Sequence, residues 1–104
     1  NESIIDCANR ELVEETGYTA GKISPLLSSP TSAGMTDEMT HFFLAENCVK
    51  TGEGGGIGGE NIKTHLVNLE DLVSFMQAKE QAGVLVDFKI HACLGAIRLL
   101  GAGN

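Results

Sequence analysis

Apolar residues recur at helical spacing near the start of the chain, where Ile5, Ala8 and Leu12 share one side of a 3.6-residue period. Ser3 suits an N-cap and Gly17 a left-handed C-cap, which predicts a helix over Ser3 to Glu15. Lys22 to Ser28 reads as extended, and Pro25 within it suits an edge strand. Ser29 to Asp37 has loop chemistry. Met39 to Glu46, dense in Thr, His, Phe and Leu, is the clearest strand, with Phe42 to Ala45 at its centre. A further strand is expected over Ile62 to Leu69, although neither of its alternating faces is purely apolar. Between these strands, Thr51 to Glu60 is so rich in glycine that it needs outside support to hold one conformation. Two helical patterns follow. Glu70 to Gln81 is expected to bury Leu72, Val73 and Met76, and Asp87 to Leu100 to bury Ile90, Leu94 and Ile97, with Gly83 and Gly101 as punctuation.

The order helix, strand, strand, strand, helix, helix is α+β in character. At 104 residues the chain is read as one domain, 1–104, with a modest core. Its 42% hydrophobic content indicates a globular chain. No apolar run reaches the roughly 18 residues of a membrane span and the start is not signal-like, so no membrane partner is expected. The formal charge of -7 argues against nucleic acid as a partner, since phosphate backbones are held by clustered Lys and Arg. A phosphate-bearing ligand must then arrive with cations. Cys7, Cys48 and Cys93 are odd in number and in no CxxC arrangement; they read as buried small hydrophobes in a reducing, cytoplasmic compartment. His41 and His65 fall in the expected strands and read as structural, and the three histidines show no metal-ligand spacing.

The candidate chemistry lies in Arg10-Glu11-Leu12-Val13-Glu14-Glu15-Thr16-Gly17-Tyr18. Glu11 and Glu15 stack one turn apart and Glu14 sits beside them. Three like charges so placed repel one another, and a divalent cation resolves the repulsion. A solvated acidic helix face is the plain alternative. The glycine-rich stretch formally contains Gly54-x-Gly56-x-x-Gly59, but no helix is expected after it to hold a pyrophosphate, so it is not read as a nucleotide loop.

The acidic run, with Glu2 eight positions before Arg10, resembles the Nudix box: Gly, five residues, Glu, seven residues, then Arg-Glu-aliphatic-x-Glu-Glu-x-Gly-apolar. The resemblance implies an α/β/α sandwich around a mixed sheet. The box glycine and the opening strands would precede Asn1, so the chain is expected to be the carboxy-terminal part of such a domain. It also implies Mg²⁺ or Mn²⁺ held by Glu11, Glu15 and Glu14, the last also counted as catalytic, with Arg10 paired to Glu2 to orient the helix. Gly-Glu-x-Ile at Gly59 to Ile62 is similar to the loop that carries a general base in family members acting on ADP-ribose and related nucleoside diphosphate sugars. That places the base at Glu60, with Glu53 as the other carboxylate the loop presents. Gly34 to Glu46 resembles a substrate-binding stretch of ADP-ribose diphosphatases, with Ala33 where those have proline; it nominates Gly34 and Glu38, the latter otherwise a solvated loop carboxylate. The implied activity is metal-dependent hydrolysis of a nucleoside diphosphate sugar, foremost ADP-ribose to AMP and ribose 5-phosphate, by a homodimer when the protein is complete. Another nucleoside diphosphate derivative, such as a dinucleoside polyphosphate or an oxidised nucleotide, or a non-catalytic nucleotide-binding module, are the alternatives.

Overall fold

The computed structural model describes residues 1–99. The chain divides into two compact units, Asn1–Thr64 and a second beginning at His65.

The first unit opens with helix α1, Ile4–Thr16. Ser3 caps it as expected, its hydroxyl accepting from the Asp6 amide at 3.1 Å, and Gly17 ends it in the left-handed conformation at φ 77°. Its apolar side is only half-buried at Ile5, Ala8 and Leu12. Strands β1 (Tyr18–Thr19), β2 (Lys22–Pro30), β3 (Met39–Glu46) and β4 (Val49–Lys50) follow. They form two antiparallel pairs, β1 with β4 and β2 with β3. The β2–β3 hairpin dominates. It pairs Ile23 with Ala45 and Leu27 with Phe42, and an irregularity between Pro25 and Leu27 lets the proline sit in a strand without supplying a ladder donor. Strand β2 runs through Ser29 and Pro30, two residues further than expected, because the register partners Thr40 and Met39 continue the ladder. Across the hairpin, the Nδ1 of the exposed His41 lies 2.8 Å from the Ser28 hydroxyl. Asn47 turns the chain from β3 to β4 at φ 53°, a backbone region Asn tolerates.

The strand expected over Ile62 to Leu69 does not form. Residues 62–68 are irregular and a 3₁₀ turn occupies Leu69–Asp71. No described strand pairs with the segment, and with polar residues on both faces it has no apolar side to drive the pairing.

The second unit holds α2, Leu72–Gln81, and α3, Phe88–Leu99. Met76 and Leu94 are the buried apolar residues. Leu72 and Ile97 are half-buried, whereas Val73 and Ile90, expected inside, are 44% and 40% exposed. Two short helices have too little facing surface to enclose every apolar position. Gly83 ends α2 at φ 90°, its amide donating to the Glu80 carbonyl at 3.0 Å. Leu100 and Gly101 lie outside the described residues. The His65 ring packs tilted against Phe75, with centroids 5.4 Å apart and an interplanar angle of 55°. None of the cysteines is buried as expected: Cys7 and Cys93 are half-buried and Cys48 is exposed. No helix of the described residues is long and apolar enough to cross a membrane.

Candidate functional site

Helix α1 displays its charged residues along the last three turns. Arg10 is the hub. Its Nε and Nη2 donate to Glu2 at 2.9 and 3.0 Å, and its Nη1 donates to Glu14 at 3.0 Å. This fork holds the Glu2 carboxyl below the usual carboxylate range and raises the already high arginine value. Glu11 accepts from the Cys7 thiol at 3.0 Å, which pushes the Cys7 thiol above its ordinary value. The half-buried Glu15 has no side-chain hydrogen bond or ion pair among the described residues.

The helix end is closed by the glycine-rich segment. An α-helix leaves its last carbonyls without intrahelical donors, and here a second piece of chain supplies them. Gly56 donates to the Glu14 carbonyl at 2.9 Å and Gly55 to the Glu15 carbonyl at 2.8 Å, while Thr51 and Gly52 donate to the Gly17 carbonyl at 2.8 and 3.0 Å. The two backbones approach so closely that a Cβ on Gly54 would meet the Thr16 carbonyl carbon at 2.6 Å, and one on Gly17 would overlap the Gly52 carbonyl oxygen. The same segment bends back through Glu60, whose Oε1 accepts from the Ile57 amide at 2.8 Å and whose side chain packs where a Gly56 Cβ would stand. Thus Glu14, Gly56 and Glu60 are linked in succession.

Glu53 is exposed and makes no side-chain hydrogen bond among the described residues. Gly34, at φ 82°, and Glu38 lie in the exposed turn between β2 and β3, closed by the Thr31 amide donating to the Glu38 carbonyl at 2.9 Å. Among the described residues no hydrogen bond joins that turn to the α1 carboxylates. An open cavity of about 380 Å³ in the second unit, lined by His65, Phe75, Met76, Lys79, Val84 and Ile90 among others, includes none of the residues nominated from sequence. The anchors Thr51, Gly52, Gly55 and Gly56 are not among the residues the sequence nominates; glycine density is the one available signal, and the outside support it calls for is the close backbone of the helix end.

The chain matches the NUDIX domain model over residues 1–88. It belongs to the NUDIX family. Among curated proteins, this NUDIX chain is similar to the ADP-ribose pyrophosphatase of Bacillus subtilis (strain 168), 39% identical over 74 residues, which are 70% of this chain and 40% of that protein. It is also similar to the GDP-mannose pyrophosphatase of Cronobacter sakazakii, 33% identical over 97 residues, 91% of this chain and 49% of that protein. The GDP-mannose pyrophosphatase of Klebsiella pneumoniae is 41% identical over 59 residues, 55% of this chain and 30% of that protein. The chain spans about half the length, or less, of the curated relatives it matches. No solved structure matches it.

Among the described residues no three His, Cys, Asp or Glu side chains converge to cage a metal ion. The donor chemistry of α1 nevertheless suits a hard cation of the Mg²⁺ kind, which takes one or two carboxylates and completes its octahedron with water and substrate phosphate oxygens. Glu15 is unengaged, and Glu14 and Glu11 each use one oxygen on Arg10 and Cys7, leaving the other. The residues fit such an open site and do not fit an all-protein cage.

Proposed function

We infer that the full-length protein hydrolyses the pyrophosphate bond of a nucleoside diphosphate sugar, with ADP-ribose as the first substrate to test. The observation that carries this is the acidic end of α1: three carboxylates on adjacent turns, clamped on one side by the Glu2–Arg10 fork and bonded at its terminus to the segment that bears Glu60. Similarity to curated proteins named ADP-ribose and GDP-mannose pyrophosphatase supports the substrate class.

Glu15, with Glu11 and Glu14, would hold Mg²⁺ or Mn²⁺; when bound, the ion offsets phosphate charge and lowers the pKa of its water. The chain's own residues do the rest. Arg10 keeps the helix charges oriented through Glu2, because a ligand carboxylate is only as well placed as its supporting partners. Glu60 accepts a proton from the attacking water with the oxygen not engaged by the Ile57 amide. The water oxygen bonds to one phosphorus, the bridging P–O bond breaks, and ADP-ribose becomes AMP and ribose 5-phosphate.

The test measures melting temperature and turnover with and without metal. Mg²⁺ or Mn²⁺ in excess should raise the melting temperature of the full-length protein by mass action, and Glu15→Gln should remove most of the rise. Glu60→Gln keeps an acceptor for Ile57 and should lower kcat by about 10²- to 10⁴-fold without altering the metal-induced rise. GDP-mannose in parallel ranks the sugar. No metal effect on melting and no hydrolysis of either compound would overturn the reading.

A further inference from the structure

The structure assigns the glycine-rich segment 51–60 the role of a fixed clasp, with Gly54 a positioning residue that sets the placement of Glu60 against the acidic turn of α1. This rests on the pyrophosphohydrolase reading for what is positioned, but the clasp itself stands on backbone geometry.

Four amides of the segment, those of Thr51, Gly52, Gly55 and Gly56, donate to carbonyls at the end of α1 at 2.8–3.0 Å. Two of the acceptors, Glu14 and Glu15, are carbonyls a helix terminus leaves free, and the third, Gly17, is the capping residue just beyond α1, so the clasp satisfies the helix end and orders the segment at once. Gly54 lies between the two pairs of donors and crosses the helix end at the closest point: its φ is +72°, and a Cβ there would meet Thr16 C at 2.6 Å and Gly17 N at 2.9 Å. All of those atoms are backbone, so none can swing aside. Any side chain at 54 must therefore lift the segment off the helix. Because Glu60 packs on Gly56 and latches the Ile57 amide, lifting the segment moves Glu60 away from the Glu14 and Glu15 backbone. A loop that opened and shut on each turnover would have to break four backbone hydrogen bonds and expose helix carbonyls; a fixed strap breaks none.

The test uses Gly54→Ala and a control of equal backbone cost. Gly83 also has positive φ, at +90°, but nothing lies within 4 Å of its Cβ position, so Gly83→Ala carries the conformational penalty without a collision. Both variants are assayed in the full-length protein well below their melting temperatures, with ADP-ribose and saturating Mn²⁺, and amide hydrogen exchange is followed at Gly55 and Gly56. In the wild type these two amides should be protected. Gly54→Ala should abolish that protection and lower kcat on the order of 10- to 100-fold with little change in KM, the size of effect a small misplacement produces. Gly83→Ala should lower the melting temperature while leaving kcat and the two amides unchanged. Unprotected Gly55 and Gly56 amides in the wild type would overturn the clasp, and a Gly54→Ala enzyme with wild-type kcat would overturn Gly54 as a positioning residue. A wild type that keeps both amides protected but hydrolyses no ADP-ribose would remove the reaction, and would overturn Gly54 as a positioning residue for it while leaving the backbone clasp standing.

Discussion

Residues 51–56 and residues 62–68 invert what their compositions lead one to expect. The first stretch is mostly glycine, yet four of its amides are bonded to the end of α1. The second is rich in Ile, Thr, Leu and Val, yet it is irregular, with Leu66 77% exposed. What separates them is the supply of partners. The helix end offers unsatisfied carbonyls that only a side-chain-free backbone can approach. The β-prone stretch finds no described strand to pair with, and among the described residues its hydrogen bond to α1 is a long one, from the Thr64 hydroxyl to the Glu15 carbonyl at 3.4 Å. Intrinsic preference is a weak force, and the availability of complementary backbone decides.

The sharpest way to break the contrast is to close the space between helix and glycine segment from the helix side. Gly17 is buried, sits at φ 77°, and a Cβ there would overlap the Gly52 carbonyl. Gly17→Ala combines left-handed strain with that collision and should destabilise the protein on the order of 2–3 kcal/mol. Chemical denaturation at constant temperature reads this directly. A loss below about 0.5 kcal/mol would mean that the segment moves aside freely and that the two stretches do not differ.

How far the sequence carried follows from the same distinction. Helix α1, its Ser3 and Gly17 caps, and the strand Met39–Glu46 were all legible, because each is specified by residues close together in sequence. The Arg10–Glu2 pairing came from a motif whose spacing spans two helical turns, which is still local. What was not legible depends on segments distant in sequence. The β1–β4 pair joins Tyr18 to Lys50, and two-residue strands carry no periodic signal. The extent of β2 through Pro30 is set by Met39 opposite it. The clasp could not be read because glycine has the same letter whether it is free to move or packed against another backbone. Alternation in 62–69 promised a strand, and the outcome turned on a partner that no local pattern encodes.

The other end of α1 offers a gentler contrast, because it is held by exposed side chains and not by backbone. Glu2 has a depressed value in the folded protein because Arg10 donates to it. A depressed carboxylate contributes stability that is fully present above its ordinary value of 4.5 and is lost as pH falls through the lower folded value. Arg10→Ala should therefore melt below the wild type at neutral pH, with the gap closing on acidification from about pH 6 to about pH 3. Both side chains are substantially exposed, so the gap should be small and shrink further in roughly 1 M salt. The glycine clasp has no titrating group in its backbone bonds, so the deficit of Gly17→Ala should persist across that range. A gap for Arg10→Ala that stays unchanged into acid would show that the fork stabilises the helix through packing of the arginine stem and not through charge.

The smallest effect expected is the most telling for the stretch that looked like a strand. If residues 62–68 lacked order only because their partners are weak, a substitution that lowers β-propensity there would still be felt; if they contribute no ladder at all, it would not. Leu66 is the position to choose, since it is the most exposed apolar residue of the stretch at 77% and its backbone lies in no sheet. Leu66→Ser replaces a strand-compatible apolar side chain with a polar one that favours turns. In a paired, half-buried strand the change would cost about 1 kcal/mol or more through lost cross-strand packing. In the irregular, solvated segment seen here it should stay within about 0.5 kcal/mol of the wild type, and amide exchange should be fast at 63 to 68 while Gly55 and Gly56 remain protected. A clear destabilisation by Leu66→Ser, or slow exchange in an alternating pattern along 63 to 68, would place a strand there after all and collapse the difference between the two stretches.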